Sequence, residues 1–340
     1  MKQANLIEAG RFEINEVPVP EVGANQVLIE VKSVGICGSD IHAFHGKHPF
    51  VHAPIVMGHE ACGVVVKLGS EVSKFKPGDR VVLRPQKVCG KCHPCRHGRY
   101  NICQSLEVLG CQCTGAYSDY YAADAELFTR IPDALSYDEG AIIEPLAVGV
   151  HAVKRGADDV HGKKVLVIGA GTIGNLLAQS AKAMGAAAVM ITDVSEHKLE
   201  LAAQVGIDYP VNVAKASLSE EILSRFGEDG VDVIYECSAN ANALNQVLDI
   251  ARKGVNVVVV GVYGGLAPIN IAYVQDREYS LIGTLMYVQE DYDDSIRYLE
   301  EGKIQTRPLI SARYSLDEIQ SAYDYINANK DTVQKVLIHP

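Results

Sequence analysis

Four cysteines crowd one short stretch: Cys89-Gly90-Lys91-Cys92-His93-Pro94-Cys95, followed by Cys103. Two consecutive C-x-x-C steps can wrap tetrahedrally around a single zinc, with Zn–S distances of about 2.3 Å. With all four positions filled by protein the site is closed, which makes its zinc structural. A redox C-x-x-C would need only two of the four thiols, and unliganded surface thiols would need no such spacing. His93 and His97 could compete as ligands, but an all-thiolate set needs neither.

A second constellation is Gly169-Ala170-Gly171-Thr172-Ile173-Gly174, the G-x-G-x-x-G pattern. It follows the apolar run 165–168 and opens a helical pattern, which is the context the motif needs. Gly169 allows a tight turn, Gly171 lets the backbone approach a pyrophosphate, and Gly174 lets helix and strand pack closely. Thr172 and Ile173 begin the helix, whose free N–H groups face the phosphates. Asp193 ends the next strand at the usual offset of about 20 residues. A carboxylate there accepts hydrogen bonds from the adenosine ribose and repels a 2′-phosphate, so NAD is expected over NADP. Asp193 could also serve as a helix N-terminal residue, which does not exclude the cofactor role. Lys198, on the following helix, is the nearby cation that could soften rejection of NADP.

These motifs sit on two kinds of sequence. The first ~150 residues read as short strands broken by turns, such as 26–34, 61–68 and the turn-then-strand at 76–82. Helical periodicity is nearly absent before Ser136, and 144–155 reads as a helix leading out. From Lys163 strands and helices alternate: strands at 165–168, 189–192, 231–235 and 256–260, helices to 184, at 195–205 and at 242–251. That alternation predicts a doubly wound parallel sheet. Helices at 290–301 and 316–327 and a strand at 335–338 close the chain. The apolar run 255–262 could extend a sheet across a subunit interface or lie in a sheet interior.

At 340 residues the chain is long enough for about two domains. Its 48% hydrophobic and 21% charged content is that of a globular protein. A net charge of −11 makes nucleic acid and anionic membranes poor partners. No apolar run approaches the roughly 20 residues of a membrane span, and the N-terminus lacks a secretory apolar core. The expected location is therefore the cytoplasm, where the nine cysteines stay reduced.

Cys37-Gly38-Ser39-Asp40-Ile41-His42 carries a thiol, a hydroxyl, a carboxylate and an imidazole, and Gly58-His59-Glu60 begins a run continuing through Gly63, Gly69 and Val72. With the cysteine lobe, the glycine loop and Asp193, these residues resemble the zinc-containing medium-chain dehydrogenase/reductase superfamily over essentially the whole chain. Glu144-Pro145-Leu146 resembles a segment of its polyol, threonine and sugar-acid dehydrogenases, in which glutamate replaces a zinc-binding cysteine.

The resemblance implies an α/β architecture. A GroES-like β-barrel catalytic domain would comprise residues 1–150, completed by 286–340, and a Rossmann domain residues 151–285. It implies two zinc ions per subunit, one catalytic and one structural. Cys37 and His59 would hold the catalytic zinc, Glu60 would be a direct or alternating ligand, and Glu144 a direct or water-bridged one. Such a metal lowers the pKa of a bound hydroxyl. Ser39 is suited to take the alcohol proton and pass it through the ribose hydroxyls to His42, an imidazole able to exchange with solvent. Asp40 would orient His59. The implied reaction is NAD-dependent oxidation of a secondary alcohol on a polyol or sugar acid to a ketone. A threonine or amino-alcohol dehydrogenase, or a non-catalytic NAD-binding protein of the same fold, is the alternative.

The segment 42–52 is rich in imidazoles. In the family it borders the substrate, so Lys47, able to meet a carboxylate, and His48 are substrate candidates, as is Tyr287. Met286 stands where sorbitol-type relatives usually carry arginine, which favours sugar acids over simple sorbitol. Cys62, Cys111, Cys113 and Cys237 are read as packing. A homo-oligomer, dimer or tetramer, is also implied.

Overall fold

The apolar run ahead of the glycine loop forms the strand Lys164–Ile168, with Val165 to Val167 fully buried. Burial on both faces is what a parallel sheet covered by helices requires. The computed structural model describes all 340 residues, which separate into two units. The first is Met1–Glu144 with Ile310–Pro340, and the second is Pro145–Leu309. No helix is long and apolar enough to cross a membrane.

In the second unit six parallel strands pair in the order Tyr209–Asn212, Ala188–Asp193, Lys164–Ile168, Val233–Glu236, Asn256–Val259, Ser280–Gly283. Chain order reverses direction between Lys164–Ile168 and Val233–Glu236, and ligands of open α/β sheets bind at the carboxyl ends beside such a switch. Asn256–Val259 has a partner on each side, so the 255–262 run is interior. Ser280–Gly283 is a sheet edge.

In the first unit a seven-stranded sheet carries the metal-type residues. Its central strand, Gln26–Gly35, pairs antiparallel with Glu60–Leu68 on one side. On the other it meets Lys335–His339 and, lower down, Tyr120–Asp124. The strand Ile310–Ser315 lies beyond Lys335–His339. A core of Val27, Ile29, Val31, Val34, Met57 and Val336 backs this sheet. The unit is thus made from the two ends of the chain.

The second unit ends at Leu309 rather than near residue 285, because the helix Gln289–Glu300 belongs to it. That helix is acidic at its start, and its charges find cations inside the same unit. His151 Nδ1 lies 2.8 Å from Asp291, and Lys154 Nζ lies 2.7 Å from Asp294. The long helix also starts earlier than its apolar pattern suggests, running Tyr137–Gly156, since Ser136 caps it with Glu139.

Candidate active site

Cys37 ends the turn after the central strand and is the N-cap of the short helix Gly38–Phe44. Asp40, three residues on and 1% exposed, reaches back to accept the Cys37 N–H at 2.9 Å. The same carboxylate lies 3.5 Å from His59 Nδ1 and accepts from Tyr117 Oη at 3.4 Å. One buried side chain therefore positions both Cys37 and His59. Burial opposes protonation of His59, but Asp40 outweighs it and holds the metal-free ring's pKa well above its usual value.

The Cys37 sulfur, a His59 nitrogen and a Glu60 oxygen all lie within 4.8 Å of one another. A half-buried thiol, a buried imidazole and a buried carboxylate converging in one place suit zinc. Glu144, on the long helix, is also buried, but its carboxylate falls outside this group of three. Ser39 and His42 share a face of the short helix, three residues apart. Ser39 is half-buried and His42 exposed. Cys111 Sγ packs 4.0 Å from His59 Nδ1, and burial pushes its pKa up.

Lys335, which carried no expectation, is the largest addition to this site. It is 3% exposed, and its ammonium donates to both Glu60 oxygens at 2.7 and 2.6 Å. The one signal for it in sequence is a lone charge opening an otherwise apolar strand.

In the cysteine lobe the four sulfurs lie within 4.8 Å of one another. Cys92 Sγ is 3.4 Å from Cys95 Sγ and 3.8 Å from Cys103 Sγ. A zinc tetrahedron with about 2.3 Å bonds has edges of about 3.8 Å, so the donor set fits the metal. Backbone N–H groups point at the sulfurs: Cys92 N donates to Cys89, and Cys89 N and Ser105 N donate to Cys103, each at 3.3 Å. Donors from Gln104 and Cys95 bring the Cys92 thiol down to about 6. Burial and the neighbouring thiols push Cys95 up to about 12. Sulfurs this close titrate as a set, and a cation would displace the remaining protons.

The glycine loop has the turn and the close helix–strand packing that its glycines allow. Gly169 has φ +96°, and a Cβ on Gly174 would lie 1.9 Å from Gly169 O, while one on Gly171 would meet open space. Gly171 caps the helix Thr172–Ala183, so Thr172 and Ile173 supply its first N–H groups. Asp193 Oδ2 accepts from Ala170 N at 2.8 Å, and Oδ1 from Val194 N and Ser195 N at 2.8 and 3.0 Å. These bonds anchor the glycine loop and fit the helix-start reading of Asp193, while its cofactor role rests on its position at the end of the strand. The Lys198 N–H is bound by the Ser195 hydroxyl at 3.4 Å.

Of the substrate candidates, Lys47 is exposed and His48 half-buried. His48 Nδ1 accepts the Phe50 N–H at 3.2 Å, leaving Nε2–H as a donor. Burial, then the neighbouring His42, lowers the His48 pKa. Tyr287 belongs to the second unit and has no exposed surface. Its ring packs 4.9 Å from that of Tyr292, so it is placed as a core residue rather than an open donor. Met286 before it adopts φ 49°. Burial pushes Cys62 up to about 12, and likewise raises Cys237, as packing thiols should be.

Residues 23–133 match the family described as "Alcohol dehydrogenase GroES-like domain", and residues 172–301 that described as "Zinc-binding dehydrogenase". The chain is 34% identical to a sorbitol dehydrogenase of Bacillus subtilis, over 100% of this chain and 97% of that one. It superposes on a galactitol-1-phosphate dehydrogenase of Escherichia coli with TM-score 0.92 and 29% identity, covering 100% of both chains. An L-idonate 5-dehydrogenase of Escherichia coli superposes with TM-score 0.92 and 27% identity, over 100% of this chain and 98% of that one. With two domain matches across most of its length and relatives aligned end to end, the chain belongs to the zinc-containing medium-chain dehydrogenase/reductase family, in its polyol-dehydrogenase branch.

Proposed function

We propose that this chain oxidises a secondary alcohol of a polyol or sugar acid to a ketone, with NAD as the acceptor and two zinc ions per subunit. The observation that carries the reading is the buried convergence of Cys37, His59 and Glu60, with Asp40 holding the first two. Cys37 and His59 would be fixed ligands, Glu60 or Glu144 the exchangeable one, and Cys89, Cys92, Cys95 and Cys103 would hold the structural ion. When bound, zinc polarises the reacting hydroxyl and the nicotinamide accepts the hydride, which is the chemistry these groups supply.

The remaining steps fall to side chains. Ser39 would relay the substrate's hydroxyl proton, taking it as it gives up its own, and the exposed His42 would deliver a proton to water. Asp193 excludes a 2′-phosphate by charge, which supports NAD. Lys47 and the His48 Nε2–H present donors to a carboxylate or phosphate on the substrate. If so, Lys47→Ala raises KM for an acidic substrate about tenfold at nearly constant kcat, the value of one charge-assisted hydrogen bond. Unchanged constants would remove Lys47 from the substrate site.

Five of the nine cysteines, Cys37 and the four of the lobe, would have to stay reduced to hold metal, which supports a reducing compartment, the cytoplasm. The edge strand Ser280–Gly283, with exposed Val262, Leu266 and Ile271 nearby in sequence, supports pairing with a second copy. Light scattering would give the oligomeric state.

The deciding experiment is NADH formation by zinc-replete protein with polyols, aldonates, threonine and simple alcohols, with and without chelator. Chelator-sensitive turnover on polyols or aldonates is expected. Turnover on threonine alone, or none despite full zinc and measured NAD binding, would overturn the assignment.

A further inference from the structure

Behind the Cys37–His59 pair a line of buried hydroxyls leads to the C-terminal part of the chain. Asp40 is held from within its own helix by the Cys37 N–H at 2.9 Å, and from outside by Tyr117 Oη at 3.4 Å. Tyr117 Oη in turn lies 3.2 Å from Tyr323 Oη, on the helix Ile319–Ala328. Neither tyrosine has exposed surface, and burial raises the pKa of both phenols, so each keeps its proton.

Chemistry fixes the direction of these bonds. A carboxylate only accepts, so Tyr117 donates its one hydroxyl proton to Asp40. Tyr117 can then only accept from Tyr323, whose O–H points the same way. Both dipoles converge on Oδ2 of Asp40, while Oδ1 lies 3.5 Å from His59 Nδ1. Donors aligned in series reinforce one another in a low-dielectric interior. The rings are held as firmly as the hydroxyls. Tyr117 packs against the residue before His59, since a Cβ on Gly58 would come within 2.8 Å of its Cδ1. The Tyr323 ring centroid lies 4.8 Å from those of Phe12 and Phe44, and Phe44 ends the helix that carries Asp40.

We propose that Tyr117 and Tyr323 are positioning residues whose hydroxyls, in series, fix the Asp40 carboxylate and through it the orientation of the His59 ring. This rests on the zinc reading above and adds what holds the holder. Asp40 without Tyr117 keeps only the bond from its own helix, so it no longer ties His59 to a fixed point in the core. The catalytic ion is then held less tightly, and the lobe ion is untouched.

The test follows zinc release from the loaded full-length protein to a chromogenic chelator, alongside kcat and KM. The release phases missing in Cys37→Ser and in Cys103→Ser define the catalytic-site and lobe ions. Absence of the first phase from the unmodified protein would overturn the zinc reading itself, a failure visible before any tyrosine variant is made. The hydroxyl contacts, at 3.4 and 3.2 Å, are longer than the usual ~2.7–2.8 Å. That places the effect at the low end of the roughly 10- to 100-fold range for groups behind metal ligands. Tyr117→Phe keeps the ring and should speed catalytic-site release and lower kcat, each about tenfold, with KM and the lobe phase within about twofold. Tyr323→Phe acts through one more bond and should give about threefold. It decides the matter if Tyr117→Phe does not fold. Added to Tyr117→Phe it should change nothing further, because the series is already broken. Asn327→Ala removes the 2.9 Å contact of the same C-terminal helix with His45 but no hydroxyl, and should leave both phases unchanged. Unchanged catalytic-site release in either tyrosine variant, equal acceleration of the lobe phase, a full further loss in the double variant, or faster release in Asn327→Ala would overturn the proposal.

Discussion

Replacing Asp193 with alanine removes three hydrogen bonds that the carboxylate accepts from backbone N–H groups. Two of these donors, on Val194 and Ser195, lie near the surface, where water can replace the carboxylate. The third, on Ala170, belongs to a fully buried residue. A charge-assisted hydrogen bond contributes about 1.5–3 kcal/mol. We therefore expect Asp193→Ala to lose about 2–3 kcal/mol. At roughly 2–4 °C per kcal/mol for a unit of this size, Tm falls by about 5–10 °C. The loop that loses its anchor is the one proposed to receive the pyrophosphate, so NADH binding should weaken at least about tenfold. NADP gains little, because removing charge repulsion does not rebuild the loop. Asp193→Asn keeps one acceptor for Ala170 and should retain most of the Tm while relaxing discrimination. Scanning calorimetry and NADH fluorescence titration, run on both variants, check this. An Asp193→Ala protein with unchanged Tm and full NADP activity would refute it, leaving Asp193 a selectivity residue only.

Cys103→Ser should lower bound zinc by one per chain and make residues 88–106 sensitive to protease, measured by metal analysis and limited proteolysis; retention of both ions would refute a four-thiolate site. Asp138, paired with His339 at 2.8 Å and Arg313 at 2.7 Å, bears on acid stability. Burial disfavours its charge, but the His339 and Arg313 contacts prevail and bring its pKa from 3.8 to about 2. The carboxylate therefore contributes stability above about pH 4 that is lost as pH falls toward 2. Because the partners are partly exposed, we expect about 1 kcal/mol rather than the full linkage value. Asp138→Asn should cost that much at pH 6 and almost nothing at pH 2, by denaturant unfolding; an equal cost at both would refute the assignment.

Local chemistry was the most legible layer of this sequence. The cysteine lobe and the glycine loop are each contiguous, so their spacing alone sets their geometry, and the alternating apolar runs report the parallel sheet directly. Strand 256–259 sits inside its sheet, a position that hydrophobicity shared with edge strands could not reveal. Cys37, His59 and Glu60 became readable through resemblance, since no local period places residue 37 beside residue 59. Lys335 left only a lone charge at the start of an apolar strand, which says nothing of its partner. Its partner lies 275 residues away, and only the three-strand register brings them together. The end of the second unit was misplaced for a related reason. The acidic helix Gln289–Glu300 looks like a solvated surface element until His151 and Lys154 are seen to anchor it.

The Glu60–Lys335 pair also has a history on the ribosome. At roughly 5–20 residues per second, about 15–55 s separate synthesis of Glu60 from that of Lys335. During that interval the nascent first unit has a central strand without one of its neighbours and an acid without its cation. Metal captured then would meet a carboxylate free to ligate it, and harder, oxygen-preferring ions would compete better than they do in the finished protein. Arrival of the last strand supplies the lysine that donates to both oxygens of that carboxylate. The order of translation thus leaves the Glu60 carboxylate without its cation until the last strand has been made.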